Sequence, residues 1–129
     1  MTANGSFDVK MLPAPLAGES PIGSLALDKT FRGDLEATSK GHMLAFNTRV
    51  KGSAGYVAME QVTGSLGGRT GTFVLQHSGT MTRGEPRLTL MVVPDSGTDE
   101  LEGLSGSMEI IVEGGRHSYV FEYEISEAE

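Results

Sequence analysis

Two glycine pairs constrain this chain more than any other feature. Gly67-Gly68 and Gly114-Gly115 each interrupt a run in which apolar and polar residues alternate. A two-residue connection needs positive φ at its central positions, which glycine adopts without strain, and it returns the chain antiparallel to itself. Each pair therefore reads as a hairpin tip, and each tip sets a register. Around Gly114-Gly115, Glu113 falls opposite Arg116, Val112 opposite His117, Ile110 opposite Tyr119 and Met108 opposite Phe121. The other face holds Ile111 with Ser118, Glu109 with Val120 and Ser107 with Glu122. A slip by one residue would mix the two faces, so the pairing is well specified. The apolar set points inward and carries His117, Tyr119 and Tyr123 with it.

Around Gly67-Gly68, the same reasoning pairs Val62 with Phe73, Glu60 with Leu75 and Ala58 with His77, with Tyr56 next on that face. Thr63 with Thr72, Gln61 with Val74 and Met59 with Gln76 take the outside. Glu60 and His77 become diagonal neighbours, roughly 7–8 Å apart at the backbone and within side-chain reach.

The rest of the chain follows this pattern. Its 18 glycines in 129 residues are about twice the usual ~7% share and punctuate short apolar segments. Strands are expected near 6–12, 24–31, 34–39, 42–50, 54–64, 70–81, 87–94, 106–113 and 116–125. Gly33 lies where the second and third meet and reads as a bulge in one long strand, leaving eight strands rather than nine. Pro13, Pro15 and Pro21 make 13–23 a loop, and 95–105 has room for one short helical turn. The polar tail Glu127-Ala128-Glu129 is expected to fray. The reading is one all-β domain over 1–129, either a closed barrel or a sandwich.

Charge and composition remove several function classes. The formal net charge is -7, unsuited to nucleic acid or an anionic membrane. With no cysteine, thiolate chemistry and Cys-ligated metal sites are absent. No apolar run approaches the ~18–20 residues of a membrane helix, and the first residues lack the marks of a signal peptide, so a cytoplasmic address is expected.

The inward set comprises Tyr56, Glu60, Phe73, Leu75, His77, Met108, Ile110, Val112, His117, Tyr119, Phe121 and Tyr123. An apolar lining with a few polar groups is the make-up of a small-molecule pocket. Glu60 and His77 form the candidate catalytic pair, an acid–base dyad in a dry barrel where burial raises the carboxyl pKa. The blander reading is a satisfied polar contact that fixes strand register. Tyr56, Phe73, Leu75, His117, Tyr119, Phe121 and Tyr123 are the candidate ligand contacts, although Tyr and His also commonly pack at barrel ends. His42, His77 and His117 have no His-x-His or His-x-x-x-His spacing, so no metal is expected. The glycine-rich 64–71 stretch leads into Phe73-Val74-Leu75, a strand rather than the helix a phosphate loop requires. No Gly-x-Ser-x-Gly elbow is present.

Three stretches also carry a resemblance. They are Gly55-Tyr56-Val57-Ala58-Met59-Glu60 continuing to Gly64-Ser65-Leu66-Gly67-Gly68-Arg69; Phe73-Val74-Leu75-Gln76-His77-Ser78-Gly79; and Val93-Pro94-Asp95-Ser96-Gly97-Thr98 through Leu101-Glu102-Gly103-Leu104-Ser105-Gly106, closing with His117-Ser118-Tyr119. Together they resemble the bacterial domain-of-unknown-function family DUF3224, whose members have an allene-oxide-cyclase-like barrel. The Gly-Thr-x-x-Leu-x-Gly-Leu-x-Gly stretch is more distantly similar to allene oxide cyclases and dirigent proteins, with Asp99 where those relatives commonly carry glycine. The resemblance implies a closed eight-stranded antiparallel barrel and no assigned activity. Fold-level analogy adds cofactor-independent cyclisation or isomerisation of an apolar or aromatic substrate in the lumen. The alternative is a side-chain-filled barrel acting as a structural or interaction protein, with homo-oligomerisation as one route. A lumen cavity of at least ~300 Å³ separates the two. So does the outer face, where Met59, Val74, Met91 and Ile111 are expected outward or ambiguous.

Overall fold

Period-two alternation over nearly the whole chain yields eight antiparallel strands. The structure, a computed structural model, describes residues 1–15, 18 and 20–126. The strands are β1 (Thr2–Pro13), β2 (Gly23–Gly33), β3 (Leu35–Asn47), β4 (Ala54–Leu66), β5 (Arg69–Thr82), β6 (Glu85–Val92), β7 (Leu104–Glu113) and β8 (Arg116–Ile125). Each pairs with the next, and β1 pairs with β8, closing the barrel. The short helical turn expected in 95–105 is a 3₁₀ turn at Asp99–Leu101. The expectation for the 127–129 tail lies outside the described residues.

Both hairpin registers agree with the glycine-pair reading, from Glu113 opposite Arg116 to Met108 opposite Phe121. Val62 faces Phe73, and Ala58 faces His77. All four turn glycines have positive φ. The strand count is also eight, but the join is elsewhere. Gly33, at φ 105°, ends β2 at a turn, whereas the expected strands 34–39 and 42–50 run together through Gly41 as β3. Tyr119 explains the turn. Its hydroxyl accepts the Leu35 N–H at 2.9 Å and donates to the Arg32 carbonyl at 2.9 Å.

The lumen has two unlike ends. At one, Leu35, Val62, Leu66, Phe73, Leu75, Leu104, Phe121 and Tyr123 pack together, and Leu101 from the 3₁₀ turn completes the packing. Thr98 holds the crossing segment to β5, with its hydroxyl accepting the Thr72 N–H at 3.0 Å. At the other end the side chains thin out. Between β6 and β7 the ladder holds a single registered pair, Met91 with Ser107.

Candidate functional site

Four consecutive strands each send one polar side chain into the boundary between these halves. Lys29 on β2 faces Ser39 on β3 in register. Glu60 on β4 lies diagonal to Ser39, and His77 on β5 lies diagonal to Glu60. Side-chain alternation forces all four inward, where Lys29, Ser39, Glu60 and His77 are buried. Glu60 is the hub. Its Oε1 accepts from Lys29 Nζ at 3.1 Å and lies 3.0 Å from His77 Nε2, while Oε2 accepts from the Ser39 hydroxyl at 2.9 Å.

This arrangement sets the charge state. Burial pushes the Glu60 carboxyl up, but the His77 hydrogen bond and the Lys29 charge together outweigh it and hold the carboxyl below its ordinary value. The expectation of a raised carboxyl pKa is thus corrected. An ionised Glu60 accepts from the imidazole, so His77 Nε2 carries the proton and a neutral ring keeps Nδ1 as an acceptor. The Lys29 ammonium also lies 5.1 Å from the Phe7 ring centroid and 5.9 Å from that of Phe31, within cation–π range.

Above this cluster is a cavity of about 550 Å³, well over the ~300 Å³ threshold for a small-molecule site. Phe7, Leu27, Met43, Ala45, Leu88 and Ile110 form apolar wall. Lys29, His77, Tyr56 and His117 bring polar groups to it. Tyr56 lies over Gly79, where a Cβ would collide with its ring. Burial and the nearby Glu60 charge push its phenol up. His117 packs its ring 5.1 Å from Phe7.

Of the expected site residues, Tyr56, His77 and His117 therefore line the cavity, and Glu60 lies behind the wall with both oxygens engaged. Phe73, Leu75, Tyr119, Phe121 and Tyr123 face the lumen but do not reach the cavity. They fill the closed end, with Phe73 and Phe121 stacked at 6.0 Å and the Tyr123 ring tilted against Phe121 at 5.3 Å. The cavity lining thus excludes these five, and the Tyr119 hydroxyl bonds within the β2–β3 turn. Lys29 and Ser39 were missed. The signal for Lys29 was present in Leu25-Leu27-Lys29-Phe31, where a lysine occupies the apolar phase of an alternating strand. Among the described residues no group of three His, Cys, Asp or Glu side chains converges as a metal site would need, and no helix is long and apolar enough to cross a membrane.

Fold and site together define an antiparallel β-barrel with a half-filled lumen and a buried ionic cluster at its waist. The chain matches the family model "Protein of unknown function (DUF3224)" over residues 3–123 and belongs to that family. It is similar to a crystal structure of a DUF3224-family protein of unknown function from Shewanella oneidensis MR-1, with 53% identity and a TM-score of 0.93 over 99% of this chain and 98% of that one. No curated protein matches the chain.

Proposed function

We propose that the open half of the barrel binds an apolar or aromatic small molecule, and that any chemistry there is a cofactor-independent isomerisation or cyclisation. The cavity of about 550 Å³ carries this reading, because apolar walls with a few convergent polar groups are what such ligands require. His77, not Glu60, is the group placed to exchange a proton with a ligand. Glu60 is a positioning residue that orients the imidazole and balances Lys29. The analogy with allene oxide cyclases supplies the reaction class, and the lumen would act by folding the substrate and excluding water.

Native mass spectrometry of freshly purified protein, with organic extraction, tests the binding. A co-purifying apolar molecule is expected, and Ala45→Trp, which fills the cavity, should lose it. Retention by Ala45→Trp would place the molecule outside the lumen and refute the reading. The interaction-protein alternative draws on the outer face. Leu44 and Val57 pair there, and with Met59 and Met91 they are exposed, while Val74 and Ile111 are only half-exposed. Sedimentation equilibrium with a Val57→Lys/Met59→Lys variant tests it. An oligomer that dissociates on substitution is the expected result under that alternative.

A further inference from the structure

Resting on that lumen-binding reading, we infer that the ligand is anionic: an apolar molecule ending in a carboxylate or similar oxyanion, seated head-first on Lys29. The chain has 17 acidic and 10 basic residues. Yet among the described residues no Asp or Glu lines the cavity, whereas Lys29, Arg87, His77 and His117 do. The protein keeps its abundant negative charge off this one surface.

The floor of the cavity provides the second observation. Lys29 is 5% exposed, and burying an ammonium is costly unless its donors are used. It has three N–H donors. Among the described residues one goes to Glu60 Oε1, and the rings of Phe7 and Phe31 give only diffuse attraction to the charge. Oε1 of Glu60 is already shared between Lys29 and His77, and Oε2 takes the Ser39 hydroxyl. Lys29 lines the cavity and Glu60 does not, so the cationic member of the pair is the one that borders the lumen. A purely apolar ligand would leave the remaining N–H groups unanswered, a neutral hydroxyl would answer them only with weaker bonds, and an amine would set like charges together. An oxyanion would gain charge-assisted hydrogen bonds, about twice as strong as neutral ones. Phe7, Leu27, Met43 and Ile110 surround the space an apolar tail would fill. Arg87, exposed at the mouth, adds attraction during approach.

Calorimetric titration of the full chain with decanoate, decanol and decylamine tests this directly. Decanoate should bind roughly tenfold or more tighter than decanol, in line with the strength of charge-assisted hydrogen bonds, with decylamine weakest. Lys29→Met should abolish the preference for decanoate while keeping decanol binding. Because that variant leaves Glu60 buried without its cation, Lys29→Met/Glu60→Gln serves as the neutral replacement and should give the same loss of preference. Equal binding of decanol and decanoate by the wild type would overturn the anionic-ligand inference while leaving the lumen-binding reading intact. So would a preference that survives in the double variant. Binding of none of the three would remove both.

Discussion

Gly41 lies directly across the β3–β4 ladder from Glu60, and the absence of a side chain at Gly41 lets the two strands close over the carboxylate. A Cβ at Gly41 would come within 2.6 Å of the Glu60 Cα and 2.8 Å of its Cβ. Gly41→Ala should therefore shift β3 against β4 and loosen the Ser39–Glu60 hydrogen bond. Overpacking of this kind costs about 1–3 kcal/mol. Urea denaturation measures the loss, and wild-type stability in Gly41→Ala would show that the close approach is unimportant.

The Lys29–Glu60 pair should behave as a buried charge pair rather than a surface one. Glu60→Gln leaves the ammonium without its anion, at a cost of about 3–5 kcal/mol. Lys29→Met/Glu60→Gln should recover most of that loss, since neither charge is then buried. A double-mutant cycle from denaturation midpoints reads the coupling. Additive losses in the cycle would mean that the two groups do not depend on each other.

Glu60 also makes stability depend on acidity. Its carboxyl is held below the ordinary value of 4.5 by His77 and Lys29 against the opposing effect of burial. A depressed folded-state pKa means the unfolded chain binds the proton more readily. The stabilisation is present above the unfolded value and is lost as pH falls through the folded one. The stability gap between wild type and Glu60→Gln should then be constant at neutral pH and shrink below about pH 4.5. Thermal melts across the acid range check this, and a gap unchanged by acid would contradict it.

Tyr119 and Tyr56 face the same lumen with different work to do. Tyr119→Phe strips the turn of a hydroxyl that bonds both Leu35 N–H and the Arg32 carbonyl, and should cost about 1–3 kcal/mol. Decanol binding should be unchanged. Tyr56→Phe should leave the melting temperature nearly intact and alter ligand affinity, because Tyr56 lines the cavity. Paired melts and titrations separate the two, and a swap of these outcomes would reverse the assignments.

The hairpins were legible because their information is local. Gly67-Gly68 and Gly114-Gly115 dictate turn geometry, and alternation then places Glu60, His77 and Tyr119 on the inner face. The closing contact was not legible. Residues 2–5 are Thr-Ala-Asn-Gly, with no apolar alternation, yet Ala3 pairs with Phe121 and Gly5 with Tyr119 to seal the barrel. Gly33 and Gly41 were likewise indistinguishable in sequence. One serves a turn capped by a tyrosine 86 positions later in the chain, and the other a close approach between strands.

An all-β chain, its hairpin registers and the inward phase of its polar residues can be read from residue order alone, since a period of two and glycine turns depend only on neighbours along the strand. The tertiary structure decided which of those residues meet. Lys29, Ser39, Glu60 and His77 come from four strands, and only closure and stagger of the sheet put three donors around one carboxylate. The same closure filled one end with Phe73, Leu75, Phe121 and Tyr123 and left the other hollow, because lumen packing depends on how side-chain volumes from all eight strands add up at each level.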